Sequence, residues 1–249
     1  MTRLAKTNFG FVILCFVGFA VSHAEAAIVF SDAFDYPDGP LPGSNGGTGF
    51  TNGWSGNGAV DTGVAVMPGQ GNGLNTRHFN EFTLGVGDSY YLGFDFAHDQ
   101  PGDSLAGISL GAQLLDPAFF VGQSFGESTL SIEFWEGRRW VASNVPVASA
   151  MNRVVLGIQR IDATQVTLGL YATPIALNSG TADLTYTQAT NRMTLGSLRV
   201  SNGPAESRYD NLVFSTQFGD AVGTVAIPEP GVALPATCLA AVVVGRRRR

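Results

Sequence analysis

Ser89-Tyr90-Tyr91-Leu92-Gly93-Phe94-Asp95-Phe96-Ala97 is the stretch that decides the fold class. In an extended chain successive side chains point to opposite faces. Tyr90, Leu92, Phe94 and Phe96 therefore share one face, and Tyr91, Gly93 and Asp95 share the other. A strand that is greasy on one side needs a second apolar layer to cover it, as two packed sheets provide.

The same pattern recurs on both sides of this stretch. Short runs of Val, Ile, Leu, Phe and Tyr alternate with clusters of Gly, Asn, Asp, Pro and Ser, which is how strands and turns read in an all-β sandwich or barrel. Strands are expected at 27–30, 60–67, 75–82, 106–113, 153–160, 165–171, 193–201 and 208–215. No window of about 11–18 residues sustains a helical period. Residues 37–58 form a long Gly/Asn/Ser loop interrupted by Leu41, Phe50 and Trp54. Loops of that length are usually functional or packed on themselves, and Trp54 is expected to plug this one onto the sandwich. Residues 129–143 read as a hairpin turning at Glu136-Gly137. That register sets Glu133 opposite Trp140 and Trp135 opposite Arg138 on one face. Ile132 and Phe134 then face Val141 and Arg139 on the core side.

The two ends of the chain have a different composition. Arg3 and Lys6 precede an unbroken apolar run from Phe9 to Val21, followed by Ala24-Glu25-Ala26. A charged n-region, an apolar h-region and a small-x-small site are the parts of a secretory signal peptide. At the other end Ile227-Pro228-Glu229-Pro230 cannot enter a helix, because proline fixes its own φ and pushes the preceding residue to extended geometry. An uncharged run from Gly231 to Gly245 follows, and then Arg246, Arg247, Arg248 and Arg249. The run is shorter than the ~20 residues a helix needs to cross a bilayer. Val225 and Ala226 extend it, and arginines can snorkel at its end. The cationic terminus is expected on the cytoplasmic side. The division is thus 1–26 signal peptide, 27–224 β-sandwich domain and 225–249 tail, with a signal helix and a short C-terminal hydrophobic helix flanking the sandwich.

This tail resembles the PEP-CTERM sorting tail of exported bacterial proteins. The resemblance implies recognition of Pro228, Glu229 and Pro230 by exosortase in a bacterium that secretes exopolysaccharide. A plain C-terminal anchor would give the same topology without processing. Either way the protein is expected in the cell envelope or outside the cell, with transient or permanent anchoring in the inner membrane. Two stretches of the domain carry a second resemblance. Asp32-Ala33-Phe34-Asp35-Tyr36-Pro37-Asp38-Gly39, with Asn45 to Phe50 and Trp54, is similar to the opening of laminin-G-like, concanavalin-like jelly rolls. Arg208-Tyr209-Asp210-Asn211-Leu212-Val213-Phe214 is similar to their closing strand. Together they imply a two-sheet antiparallel sandwich of roughly 12 to 14 strands whose first and last strands are neighbours.

Composition narrows the chemistry. The chain's two cysteines, Cys15 and Cys238, lie in the hydrophobic ends, so the domain between them offers no disulfide and no thiolate metal site. Between Ile28 and Ile227 there are 18 acidic residues, eight arginines and no lysine, a net charge of −10. That balance keeps an exported protein soluble and argues against nucleic acid or anionic surfaces as partners. Neutral glycans, divalent cations and proteins remain.

The sequence offers three kinds of candidate site. Asp32, Asp35 and Asp210, joined by Asn211 or backbone carbonyls, would supply hard oxygens for a structural calcium where the chain ends meet. The same residues also serve as turn terminators, and Asp210 as a partner for Arg208. The outward face of the hairpin, Trp135, Trp140, Arg138 and Glu133 with Tyr91 beside it, suits extracellular polysaccharide: a pyranose stacks on indole while charged groups take its hydroxyls. A cross-strand Trp–Arg stack is the structural alternative. Catalysis has little material. His78 and His98 are the domain's histidines, Glu127, Glu133 and Glu136 lack the alternation of a glycosidase carboxylate strand, and no GxSxG, HExxH or phosphate loop occurs. The expectation is a non-catalytic envelope or matrix protein with no cofactor beyond that calcium. A carbohydrate-binding module is the alternative, and a divergent polysaccharide lyase or glycosidase comes third.

Overall fold

The computed structural model describes residues 27–69, 73–100, 102, 105–113 and 116–223. The signal segment, the Pro228-Glu229-Pro230 motif and Arg246 to Arg249 lie outside the described residues. Among the described residues no helix is long and apolar enough to cross a membrane.

Among the described residues fifteen strands form two antiparallel sheets. They are β1 (Ile28–Asp32), β2 (Gly39–Pro40), β3 (Ala59–Asp61), β4 (Val64–Met67), β5 (Gly73–Thr83), β6 (Ser89–His98), β7 (Ala106–Gln113) and β8 (Asp116–Gln123), then β9 (Thr129–Phe134), β10 (Arg139–Pro146), β11 (Asn152–Arg160), β12 (Gln165–Tyr171), β13 (Leu184–Ala189), β14 (Thr194–Asn202) and β15 (Ser207–Ser215). One sheet has nine strands in the order β13-β12-β11-β6-β15-β4-β3-β2, with β1 also paired to β15. The other has six, β10-β9-β8-β7-β14-β5. Two short helices, α1 (Pro174–Ser179) and α2 (Phe218–Val222), decorate them. This is the expected two-sheet jelly-roll sandwich, with the first and last strands in register from Ile28↔Ser215 to Asp32↔Leu212.

One core lies between the sheets. From the nine-stranded sheet it takes Leu92, Phe94, Phe96, Val154, Leu156, Leu168 and Phe214. Ile108, Leu110, Phe119, Val121, Ile132, Phe134, Leu198 and Val200 come from the six-stranded one. The β6 face anticipated as buried is buried. Leu92 and Phe94 are fully covered, and each such side chain contributes about 1.5–3 kcal/mol on leaving water.

Three features differ from the sequence reading. The stretch expected as one strand at 60–67 is a hairpin: Thr62 and Gly63 both take positive φ, 52° and 77°, and turn β3 back on β4. Two successive positive φ values match the right-handed twist of paired strands. The strand β8 was not anticipated, because Ala118-Phe119-Phe120-Val121 shows no alternation when both faces are covered. The edge strand β13 was not anticipated either.

The long loop does pack on the sandwich. Trp54 is 2% exposed and its Nε1 donates to Asp32 Oδ2 at 2.9 Å. Asp32 also accepts from Phe34 N at 2.9 Å and Tyr36 Oη at 2.6 Å, and it forms an ion pair with Arg77 Nη1 at 2.5 Å. Arg77 in turn donates to the carbonyls of Asn52 (2.9 Å) and Gly46 (2.6 Å) and to Asn45 Oδ1 (3.2 Å). Its guanidinium lies 3.9 Å from the Phe50 ring centre. Burial and the Asp32 carboxylate push the Tyr36 hydroxyl up to about 12.

Candidate functional site

The outer face of the six-stranded sheet carries an unusual row of side chains. Cross-strand register places Arg199 of β14 opposite Ser109 of β7, Ser109 opposite Phe120 of β8, Phe120 opposite Glu133 of β9, and Glu133 opposite Trp140 of β10. Their sequence neighbours Leu198, Leu110, Phe119 and Ile132 point into the core, so strand alternation puts this row on the opposite face. The hairpin register anticipated from the sequence, Glu133↔Trp140 and Ile132↔Val141, is the register observed. Its turn spans Trp135 to Arg138, with Arg138 N donating to Trp135 O at 3.1 Å and Gly137 and Arg138 at positive φ.

At the hairpin end of the row is a cleft of about 130 Å³ lined by Glu133, Trp135, Arg138, Trp140, Phe125 and Leu105, with Ser124. Trp140 is 49% exposed, whereas Glu133 is only 5% exposed. Among the described residues the Glu133 side chain makes no hydrogen bond and no ion pair. Burial pushes its carboxyl above the ordinary range, against the pull of Arg138 and Arg199. Arg199 is also buried. It donates from Nε to Ser201 Oγ at 3.2 Å, and its guanidinium carbon sits 5.1 Å from the Trp135 ring centre. Burial lowers its pKa, and Glu133 opposes that shift. Ser109 Oγ, beside Arg199, is buried and has no hydrogen-bond partner among the described residues.

A buried carboxylate without donors is costly. Perturbed, underpartnered groups in a cleft make it a candidate site. Four of the five residues anticipated for the hairpin face therefore meet here. The fifth, Tyr91, does not: it lies on β6 in the other sheet, where its ring packs edge-on against Phe218 of α2 at 5.4 Å. Arg199, Ser109 and Phe120 were not anticipated. The alternation Ser197, Arg199, Ser201 in β14 marks a polar outer face, but only sheet order brings it beside the hairpin.

The acidic residues weighed for calcium are not brought together as one ligand set. Asp32 faces inward to Arg77, and Asp35 is exposed. Asp210 accepts from Asn211 N at 2.7 Å, and Asn211 Nδ2 donates to Asp95 Oδ2 at 2.7 Å. Burial, then Asp95 and Asp35, raise the Asp210 carboxyl. Arg208 pairs with Asp99 at 2.8 Å rather than with Asp210. Among the described residues no three His, Cys, Asp or Glu side chains are grouped to hold a metal ion.

A larger cleft of about 650 Å³ lies where the chain ends meet, walled by Ile28, Leu212, Val213 and Val222. Its charged groups are already partnered. Arg153 pairs with Asp95 at 3.3 Å and donates to the carbonyls of Ala221 and Asn211 at 2.7 Å, and Asp220 accepts from Ser215 Oγ at 2.5 Å. Size does not make it the better site.

No protein-family model matches the chain, and no curated protein sequence does. Among solved structures it is similar to an endo-β-1,4-glucuronan lyase from the fungus Trichoderma reesei. That match has 16% identity and a TM-score of 0.46, over 74% of this chain and 95% of that one. It is similar to the alginate lyase Aly36B in complex with alginate tetrasaccharide, at 12% identity and TM-score 0.46 over 76% and 96% of the two chains. The CBM2 module of the evolved Dit of Lactobacillus casei BL23 phage J-1 matches at 10% identity and TM-score 0.47, over 76% and 95%. Likenesses this distant carry no argument about chemistry, and the site stands on its own geometry.

Proposed function

We propose that this chain is a non-catalytic glycan-binding protein of the cell envelope or extracellular matrix, holding extracellular polysaccharide in the Glu133/Trp135/Trp140 cleft. The observation that carries the reading is Glu133, a buried carboxylate with open hydrogen-bonding capacity beside an exposed indole. The apolar face of a sugar ring stacks on Trp140 while its hydroxyls satisfy the charged groups, as binding sites combine apolar walls with a few placed polar groups. The paired terminal segments support export, and the Pro228-Glu229-Pro230 tail with its arginines supports sorting by exosortase. The scarcity of histidine and the absence of a paired carboxylate strand support binding without turnover.

Titrating the full-length protein with soluble polysaccharides while following tryptophan emission tests the binding. A saturable shift is expected, and its loss in Trp140→Ala; no response to any polymer overturns the reading. Reducing-end and unsaturated-uronate assays on the same mixtures are expected to stay flat. Steady product release would make the cleft an active site. Mass spectrometry of the C-terminus in an exosortase-containing strain is expected to show loss of Arg246 to Arg249, and their retention leaves plain anchoring.

A further inference from the structure

We propose that the cleft selects a neutral sugar residue through adjacent hydroxyls that donate to Glu133 while accepting from Arg138, with Glu133 as the group that excludes acidic sugars. This rests on the glycan-binding reading above and adds the chemical class of the ligand.

The argument starts from what each group lacks. An ionised carboxylate only accepts hydrogen bonds and a guanidinium only donates. Glu133 lies in the field of both arginines, yet neither reaches it as an ion pair. Among the described residues the Arg138 side chain has no hydrogen bond, and Arg199 has the one to Ser201. Glu133 and Arg138 thus line one cleft without satisfying each other, and Arg199 stays against the Trp135 ring. A hydroxyl group both donates and accepts, so two neighbouring hydroxyls complete the set.

Charged ligands fit less well. A uronate carboxylate has no donor to offer Glu133 and would place a second negative charge beside it, in a domain whose net charge is −10. An amino sugar would suit Glu133 but sets a second positive charge beside Arg138, so a lining with one charge of each sign favours a neutral ligand. The cleft volume, about 130 Å³, equals that of about four liquid waters, the scale of one sugar ring rather than of a buried chain. The walls agree with a ring lying flat. Trp140 and Phe125 are 49% and 62% exposed, and Leu105 closes the side. The orphaned Ser109 hydroxyl, next to Arg199 in the row, leaves the same face short of partners further in.

The test titrates full-length wild type and Glu133→Gln with a soluble galactomannan, a soluble β-glucan and polygalacturonate, read by calorimetry. Wild type is expected to bind a neutral polymer at least about tenfold more tightly than polygalacturonate, the range a charge-assisted hydrogen bond covers. Glu133→Gln, with an unchanged circular dichroism spectrum, is expected to lose about tenfold toward the neutral polymer and to gain toward polygalacturonate. A merely structural role for Glu133 would not produce that crossover. Wild type preferring polygalacturonate overturns the ligand class while glycan binding stands. Neutral binding unchanged in Glu133→Gln overturns the role of Glu133. Binding of none of the three overturns the proposal together with the reading it rests on.

Discussion

Arg77 and Glu133 are both charged, buried and on the six-stranded sheet, yet they are treated in opposite ways. Arg77 on β5 is 1% exposed, and each of its nitrogens has an oxygen to donate to: Asp32, Tyr36, Asn45 and two backbone carbonyls, with Phe50 beneath its plane. Glu133 on β9 is 5% exposed and has none among the described residues. The first arrangement ties the long loop 37–58 to the sandwich edge. It has no capacity left for a ligand. The second leaves an acceptor open in a cleft walled by indole. Burial alone does not mark a functional group; burial with unmet hydrogen-bonding capacity does.

The contrast can be broken most forcefully at Arg77. Replacement by Met strands Asp32 as a buried charge, and urea unfolding is expected to register a loss of about 3–5 kcal/mol. Adding Asp32→Asn should recover part of that loss. A double variant as unstable as Arg77→Met would mean that the pair is not the unit. Tyr36→Phe removes one of the donors to Asp32, and a loss of about 1–2 kcal/mol is expected in the same assay.

Glu133→Gln should move stability the other way. The folded-state pKa of Glu133 is raised, so the native state keeps its proton where the unfolded chain has already released it. Its contribution is therefore most favourable below the usual carboxylate range and is lost as pH rises through the raised value. At neutral pH the amide is expected to raise the urea midpoint of unfolding, and the gain should fade as pH falls into the ordinary carboxylate range. A destabilised amide variant at neutral pH would show that Glu133 is held by the fold rather than kept for a ligand. The smallest shift belongs to Trp140→Ala. At half exposure it should change unfolding by no more than about 0.5 kcal/mol, while abolishing the fluorescence response to glycan.

Much of the architecture was legible before any coordinates. The alternation in β6 names its buried face correctly, and the hairpin register follows from turn position and period. Trp54, set in a Gly/Asn/Ser loop, reads as its anchor and is buried there. Where legibility failed, the causes are local. Phe119 and Phe120 are both covered, so β8 has no period to read. The Thr62-Gly63 turn hides within an apolar run. Thr173, Pro174 and Gly180 do spell the start and stop of α1: Thr173 Oγ1 accepts from Ala176 N at 3.2 Å, and Gly180 sits at φ 68°. A helix of six residues, however, leaves no sustained pattern.

By itself the sequence determined that the described domain is paired sheets with one shared core, because a period of two is a property of each strand alone. It also determined that Glu133 and Trp140 meet, since a hairpin closes over neighbours in the chain. Which distant segments lie side by side was decided only in three dimensions. Sheet order moved Tyr91 to the opposite layer, turned the Asp32 carboxylate to meet Arg77, and brought Arg199 across two strands to the ring of Trp135. Those neighbours depend on how the two layers wind and pack, and no single strand carries that information.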